Sequence, residues 1–219
     1  MTYLDLDLSV FNTFIFDCDG VILNSNRVKS EAFRKAVIDY GNIEANELVR
    51  YNEEYGGISR KDKIRHFFEN ILKVRDFEDE AESVLDKFSE IVKSELGSCE
   101  LSGSIVDLRS KYKKTRWFVV SGGDEMEIED ALRNRGIIHF FEKIYGGPKK
   151  KAEIFESMKM NGDITFPAIY FGDSKYDYQS ADGAGLSFLF VSGWTDFHDW
   201  KGYCEVKGVQ SVESLEDLL

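Results

Sequence analysis

The sequence is poor in the residues that would cross-link a chain or stiffen it. Its three cysteines, Cys18, Cys99 and Cys204, lie far apart without Cys-x-x-Cys spacing, which predicts neither a disulfide framework nor a zinc site. Only two prolines occur in 219 residues, and no stretch has the composition of a disordered segment. At 42% hydrophobic and 31% charged residues, the chain has an ordinary globular composition and is long enough for a sizeable core.

Long apolar runs are also missing. No run of about 18 apolar residues occurs, so we expect no transmembrane helix. The N-terminal segment MTYLDLDLSV is acidic and lacks the basic region and apolar run of a secretory signal. With the unpaired cysteines, these features predict a cytoplasmic protein that has no membrane partner.

Positive charge is scarce. The chain has 28 Lys and Arg against 40 Asp and Glu, a formal net charge of −12. A surface this acidic repels nucleic acids and anionic membranes, so neither is expected as a partner. A phosphate ligand is not excluded, but its site must supply local cations.

Short apolar segments rich in aromatic and β-branched residues recur along the chain. Without polar alternation, they predict strands buried on both faces of a parallel sheet: Thr13–Asp17, Trp117–Ser121, Ala168–Asp173 and Ser187–Ser192, with Glu142–Tyr145 as a weaker fifth. Helical patterns over Asp124–Arg135 and Lys151–Met160 lie between them. This alternation predicts an α/β fold with a doubly wound, Rossmann-like parallel sheet.

The stretch after the first strand differs. From Ser25 to about Gly97 there is no convincing strand, only amphipathic helical patterns such as Val28–Tyr40, Arg60–Leu72 and Asp79–Leu96. We therefore predict two domains: a core of residues 1–24 and 98–219, and a small helical domain of residues 25–97 inserted after the first strand.

Acidic residues cluster where the predicted strands end, which is where ligands bind in such sheets. Asp17 and Asp19 are two apart in an extended segment and point the same way, so their mutual repulsion favours a bound cation. Asp173 and Asp177 form a second cluster, and carboxylate oxygens suit Mg²⁺. The alternatives are an acidic turn at Asp17 and a helix cap at Asp173.

Two further segments suit a phosphate group. Ser121-Gly122-Gly123 offers a hydroxyl and flexible backbone N–H groups just before a predicted helix. Lys149, Lys150 and Lys151 form the most basic short run, and one of them would neutralise a phosphate oxygen and keep a nearby carboxylate ionised. The alternative for at least two of these lysines is a solvated patch at a helix start.

Taken together, the four segments resemble the haloacid dehalogenase-like superfamily, in particular its capped phosphatases and β-phosphoglucomutases. The resemblance spans nearly the whole chain and rests on four motifs in order: FIFDCDGVI, VVSGG, GGPKKKAEIF and IYFGDSKYD. Dehalogenases of the superfamily lack the second aspartate of the first motif, so the presence of Asp19 favours a phosphatase.

The resemblance implies a role for each matching residue. Asp17 would attack phosphorus and form an aspartyl-phosphate, and Asp19 would be the general acid and then the base. Ser121, Gly122 and Gly20 would bind the phosphoryl group. The lysine of the third motif would be Lys151, which is favoured because it fits the Lys-x-Glu pattern, and the alternative is Lys149, which fits a Lys-Pro spacing. Mg²⁺ would be held by the Asp17 carboxylate, the Asp19 carbonyl and the Asp173 carboxylate, with Asp177 assisting.

The helical insert resembles the cap that follows the first motif in this superfamily, which closes over the site and selects the substrate. Its segment Tyr55–Lys63 resembles a cap loop of β-phosphoglucomutases, which implies that Arg60, and Lys63 with it, meets the far end of the substrate. The alternative is that Ser59 caps a helix and Arg60 is solvated. Asn24 and Lys29 would contact substrate at the cap hinge, although phosphomutases usually carry histidine where Lys29 stands.

The sequence therefore predicts a Mg²⁺-dependent phosphatase of a small phosphorylated metabolite, with a sugar phosphate favoured, acting as a monomer or homodimer. A phosphomutase of the β-phosphoglucomutase type is one alternative. The other alternative is a non-catalytic regulatory protein with the same fold, although the intact acidic motifs argue against a site that has lost its activity.

Overall fold

The computed structural model describes residues 6–219, so the expectation about a secretory signal concerns a segment that begins outside the described residues. Its centre is one parallel sheet of six strands in the order β3-β2-β1-β4-β5-β6. The strands are β1 Thr13–Phe16, β2 Arg116–Asp124, β3 Lys143–Gly147, β4 Ala168–Gly172, β5 Ser187–Val191 and β6 Ser211–Val212. The strand order reverses between β1 and β4, the point at which such sheets bind ligands.

Helices connect the strands and cover both faces of the sheet. Outside the segment between β1 and β2 they are α6 Glu125–Asn134, α7 Lys151–Met160, α8 Lys175–Ala184 and α9 Trp200–Lys207. Short 3₁₀ turns add Leu8–Val10, Ile138–Phe140 and Leu215–Leu218. None of the helices within residues 6–219 is both long and apolar enough to cross a bilayer.

The central strand β1 is buried on both faces, which explains its unbroken apolar sequence. Phe14 and Phe16 point into one hydrophobic layer, in which the ring of Phe16 stacks on Phe171 at 4.8 Å between centroids. Ile15 points into the opposite layer, with Tyr170. Burial on both sides fixes the register of β1 and hence the position of the residue that follows it, Asp17.

Between β1 and β2 the chain forms a group of helices that we call the insert: α1 Asn26–Val37, α2 Asn42–Glu54, α3 Arg60–His66 with its π-helical continuation Phe67–Leu72, and α4 Glu78–Leu96. A 3₁₀ turn, Ile38–Tyr40, links α1 to α2, and α5 Ile105–Lys111 leads from the insert to β2. The apolar residues of the insert pack together, with the rings of Phe33 and Phe88 4.3 Å apart, and they are continuous with the hydrophobic layer that contains Phe14 and Phe16.

The predicted fold class is confirmed, because all five predicted strands belong to one parallel sheet. The predicted helix Lys151–Met160 has the observed bounds, and Asp124 is the N-cap of α6 rather than its first residue. Strand β6 was missed, since two residues carry no periodicity. The division into domains of residues 1–24 with 98–219 and of residues 25–97 stays a prediction.

Candidate active site

The predicted site residues come from four separate segments that meet at the carboxyl edge of the sheet. Asp17 directly follows β1, and Asp173 directly follows β4, its neighbour. Ser121 lies near the end of β2, on the other side of β1. Lys151 is the first residue of α7. The parallel pairing of β1 with β2 and β4 therefore brings these distant parts of the sequence together.

Lys151 joins two of the carboxylates. Its Nζ lies 2.9 Å from Asp17 Oδ2 and 2.5 Å from Asp177 Oδ1. It also donates to the hydroxyl of Tyr170 at 2.9 Å, and that hydroxyl donates to the Val120 carbonyl at 2.9 Å. All of these side chains are buried, with Lys151 only 1% exposed. The ammonium is thus fixed by its contacts and directed at Asp17.

The charges of this group depend on one another. Burial raises the pKa of Asp17 to about 7, and the Lys151 ammonium opposes that rise. Burial alone would lower the pKa of Lys151, but Asp17 and Asp177 raise it above its ordinary value. Lys151 is therefore a permanent cation that favours the ionised, nucleophilic form of Asp17.

Asp173 completes an acidic cluster. One carboxylate oxygen each of Asp17, Asp173 and Asp177 lies within 4.8 Å of the others, and all three residues are buried. Asn26 donates to Asp173 Oδ2 at 2.6 Å, but within residues 6–219 Asp173 makes no ion pair. Burial and the neighbouring carboxylates raise its pKa well above the usual range. A converging, under-neutralised set of oxygens fits a divalent cation such as Mg²⁺.

Asp19 lies in the same cleft but is held by different partners. Lys29 Nζ lies 2.5 Å from Asp19 Oδ2, and Ser25 Oγ donates to Asp19 Oδ1 at 2.5 Å. Burial raises the pKa of Asp19, yet Lys29 and Ser25 together hold it below its ordinary value. The cleft therefore contains two aspartates, two residues apart, whose pKa values are shifted in opposite directions. Asp19 is therefore the more strongly ionised of the two, because its cation and hydroxyl partners are its own, whereas Asp17 shares Lys151 with Asp177.

The insert closes directly over the strand ends. Gly56 and Gly57, in the loop before α3, lie against Ser174, and a Cβ on Gly122 would collide with the Gly57 carbonyl. Only glycine permits this approach, because the two backbones are in contact. The loop predicted to bind phosphate is thus covered by the loop that precedes Arg60.

Arg60 reaches across the cleft, but its charge is already matched. Its guanidinium donates to Glu127 Oε1 at 2.8 Å and lies 3.2 Å from Asp124 Oδ2, both at the start of α6. The Ser59 hydroxyl accepts a hydrogen bond from the Asp62 amide, so Ser59 does cap α3. Arg60 is 20% exposed, so it is not the solvated residue of the alternative interpretation. Through these ion pairs it joins the insert to the six strands and the helices α5–α9, which together we call the sheet domain.

Lys63 lines the same cleft from the next turn of α3. It is 5% exposed, and its Nζ donates to Asn52 Oδ1 at 2.6 Å. Burial lowers the pKa of Lys63 to about 7, and Lys29 adds to that effect while Asp19 opposes it. Lys63 is thus a buried lysine whose only polar partner in the described chain is a neutral amide.

Of three further predicted residues, Gly20 packs against Asp173, where a Cβ would collide with the carboxylate, while Asn24 and Lys149 are not brought to the cleft. The Gly20 amide donates to the Leu23 carbonyl, and its φ of 75° forms the turn after Asp19. Asn24 donates to Glu100 at 3.4 Å, outside the cleft. Lys149 is exposed, so of the two candidate lysines only Lys151 contacts Asp17.

Other residues at the site gave little or no sequence signal. Tyr170 was noted only as part of a strand, and the period-two alternation of β4 places it on the α7 side of the sheet. Asn52 is buried within α2, where a polar residue on the helical core face was the available signal. No motif indicated that either would contact a lysine.

A comparison with protein families matches residues 14–191 to the model of a family described as haloacid dehalogenase-like hydrolase. This stretch includes every motif at the cleft. The comparison with curated proteins gives no match.

Solved structures of similar fold were also found. A predicted phosphatase from Clostridium acetobutylicum is 16% identical, with a TM-score of 0.75 over 95% of this chain and 96% of that one. A Bacteroides fragilis protein described as a haloacid dehalogenase-like hydrolase is 20% identical, with a TM-score of 0.73 over 95% and 100% of the two chains. CbbY from Rhodobacter sphaeroides, solved with phosphate, is 19% identical, with a TM-score of 0.70 over 95% and 96%. At these identities the likeness shows the fold.

Proposed function

The chain belongs to the haloacid dehalogenase-like hydrolase family, and on this premise we propose that it is a Mg²⁺-dependent phosphatase of a small phosphorylated metabolite. The observation that carries the proposal is the buried contact of Lys151 with Asp17, at 2.9 Å, beside a second aspartate held by other partners. A carboxylate held ionised by a fixed lysine is suited to attack phosphorus. The structural neighbours include a predicted phosphatase and a protein solved in complex with phosphate, which supports this chemistry.

Each residue contributes a separate step. Asp17 attacks the phosphoryl group and becomes an aspartyl-phosphate, while Lys151 neutralises the charge on the transferring oxygens. Asp19 donates a proton to the leaving alkoxide and then accepts one from the attacking water. Because Lys29 and Ser25 keep Asp19 ionised in the free protein, the Lys29 contact must loosen when substrate binds, so that Asp19 takes up the proton that it then donates. Ser121 and the backbone at Gly122 bind the phosphoryl oxygens.

The metal site would use the acidic cluster. Asp17 and Asp173 would hold Mg²⁺ with the Asp19 carbonyl, and Asp177 would support it while paired with Lys151. A bound Mg²⁺ supplies charge neutralisation for the phosphate oxygens. The Asn26 side chain orients Asp173 for this role, since its amide occupies one carboxylate oxygen and leaves the other available.

The insert acts in this proposal as a cap. Its loop at Gly56 and Gly57 contacts the phosphate-binding loop, so the closed cap excludes water from the reacting groups. A sugar phosphate is favoured as substrate, because the cap loop resembles that of sugar-phosphate enzymes. The cytoplasmic location and the monomeric or homodimeric state stay predictions.

The test is phosphate release from a panel of sugar phosphates, nucleotides and other phosphorylated metabolites, with Mg²⁺ and with chelator. We expect metal-dependent release, lowered roughly 10⁴-fold by Asp17→Asn, as for loss of a covalent nucleophile. Asp182→Asn, on the exposed side of α8, is the matched control and should keep full activity. Unchanged hydrolysis in Asp17→Asn would contradict the mechanism.

The same panel addresses the two alternatives. A phosphomutase would release little phosphate and would isomerise a sugar phosphate only with a bisphosphate primer. A non-catalytic protein would do neither. An acid-quenched intact mass increased by one phosphoryl group in the wild type, and absent in Asp17→Asn, would support the aspartyl-phosphate in either enzyme.

A further inference from the structure

Three cationic side chains at the cleft are already neutralised by carboxylates. Lys151 contacts Asp17 and Asp177, and Lys29 contacts Asp19. Arg60 contacts Asp124 and Glu127. A phosphoryl group at Asp17 would share Lys151, so none of the three is available to another part of the substrate without breaking an ion pair.

Lys63 is different. No carboxylate of residues 6–219 lies within ion-pair distance of its Nζ, and Asn52 Oδ1 is its single hydrogen-bond acceptor there. An ammonium has three N–H donors. Asn52 uses one of them, and the side chain lines the cleft at 5% exposure. Buried donors without acceptors are costly unless a ligand supplies the missing partner.

The partner of Lys63 is itself fixed. Asn52 Nδ2 donates to Ser30 Oγ at 2.8 Å, and Ser30 Oγ lies 3.3 Å from Asp196 Oδ2. The Asn52 amide therefore keeps its oxygen directed at Lys63, and the ammonium is held in one place by α1, α2 and the loop after β5. A preorganised donor loses little conformational entropy when it binds.

We propose that Lys63 binds a second anionic group of the substrate, a carboxylate or a second phosphate, at the end remote from the reacting phosphoryl group. This inference rests on the proposed function and narrows its substrate class to phosphate monoesters that carry a further anion. Among sugar phosphates, these are the bisphosphates and the phosphorylated sugar acids. Hydroxyl groups alone would leave the buried ammonium without a counter-charge.

The charges around Lys63 agree with this assignment. Lys29 and Lys151 face it with positive charge, while Asp19, Asp173 and Asp196 face it with negative charge. Burial outweighs them and lowers the pKa of Lys63 to about 7. A bound anion would raise that pKa, so binding above pH 7 should take up a proton at Lys63.

The experiment measures binding rather than turnover, so it does not depend on identifying the substrate. Calorimetry is done with Mg²⁺ on the Asp17→Asn protein, using two matched pairs of probes. 3-Phosphoglycerate is compared with glycerol 3-phosphate, which has a hydroxymethyl group in place of the carboxylate. Fructose 1,6-bisphosphate is compared with fructose 6-phosphate. The first pair reports a carboxylate site and the second a phosphate site.

We expect the more highly charged member of at least one pair to bind roughly 10- to 100-fold more tightly, as for a charge-assisted hydrogen bond. Adding Lys63→Met should reduce that preference to near unity. It should also abolish proton uptake at pH 8, measured in buffers of different ionisation enthalpy. Lys61→Met changes an exposed lysine on the same helix and should keep both properties.

Three results would overturn the inference: no preference in either pair, no binding of any probe, or a preference that survives Lys63→Met. Lys63→Gln repeats the test with a polar side chain, in case methionine disturbs folding. The proposed function fails separately, if phosphate release is metal-independent or survives Asp17→Asn.

Discussion

Two lysines are buried at the same cleft, one on the sheet domain and one on the insert, and their environments have opposite effects. Lys151 is 1% exposed and contacts two carboxylates, which raise its pKa. Lys63 is 5% exposed and contacts one amide, and burial lowers its pKa to about 7. Similar burial thus makes Lys151 a permanent cation and Lys63 a group that titrates near neutral pH.

The difference shows that the partner, rather than the depth of burial, decides what a buried lysine does. In the proposed function, the carboxylates beside Lys151 serve the phosphoryl group that every substrate would carry. The insert supplies a neutral amide, which leaves the charge of Lys63 to be satisfied by the ligand. The following variants test this comparison, in order of decreasing expected effect.

Lys151→Met should cause the largest loss. It leaves Asp17 and Asp177 buried without their cation, and breaking a buried pair in this way costs about 3–5 kcal/mol. Urea denaturation at pH 7 measures the free energy of unfolding. Lys149→Met, at an exposed neighbour, is the control and should change stability by less than about 0.5 kcal/mol. Equal effects of the two variants would contradict the assignment of Lys151 to the site.

Lys63→Met should raise the free energy of unfolding, whereas Lys151→Met lowers it, and the size of the gain should depend on pH. The pKa of Lys63 is about 7 in the folded protein and 10.5 in the reference state, so between these values the unfolded chain binds more protons. Wild-type stability therefore rises with pH across this window relative to Lys63→Met. We expect the difference between the two proteins to change by about 2–4 kcal/mol from pH 6 to pH 10.

Denaturation of both proteins across that pH range checks this result. A difference that stays constant with pH would show that Lys63 does not titrate near neutrality. Lys61→Met, on the exposed face of α3, should follow the wild type at every pH.

Asn52→Asp should give Lys63 a carboxylate partner, as Lys151 already has. It places a carboxylate where Asn52 Oδ1 now accepts from Lys63, so the pKa of Lys63 should rise by about one to three units. A ¹³C NMR titration of the lysine Cε signals measures this shift directly. Asn46→Asp, on the exposed face of the same helix, should leave the titration of Lys63 near pH 7. An unshifted titration midpoint in Asn52→Asp would mean that the partner at position 52 does not control the pKa of Lys63.

Tyr170→Phe should give the smallest effect. It removes a hydroxyl that contacts Lys151 and the Val120 carbonyl, but both carboxylate partners of Lys151 remain. We expect a loss of about 1–3 kcal/mol in the free energy of unfolding, the usual value of two hydrogen bonds. The measurement is thermal unfolding with and without Mg²⁺. A loss as large as that of Lys151→Met would mean that the hydroxyl, and not the carboxylates, holds the ammonium.

The sequence predicts most of the sheet domain because each of its signals is local. A buried parallel strand is an unbroken apolar run, and the residue after it lies at the ligand-binding edge, so Asp17 and Asp173 follow from pattern alone. The choice of Lys151 over Lys149 rests instead on the family's Lys-x-Glu pattern, because the start of α7 sets which lysine points inward and no strand pattern fixes that start.

The contacts of the insert are less predictable, because they are not local in the sequence. Its helices follow from amphipathic periodicity, but the contacts of Arg60 with Asp124 and of Lys63 with Asn52 join residues 64 and 11 positions apart through tertiary packing. Nothing in the spacing of Arg60 indicates that acidic residues of α6 occupy the position expected for substrate. The residues that we propose to select the substrate therefore lie where local patterns are least informative.

The contact between Gly57 and Gly122 has a consequence for the timing of the reaction. Because the two backbones touch, substrate that enters beside Gly122, or phosphate that leaves there, requires the loops to separate. Each turnover then includes one opening and one closing of the insert, and the rate of that movement is an upper limit on kcat however fast the chemistry is. Increasing solvent viscosity should therefore slow the enzyme on its best substrates and have little effect on poor ones.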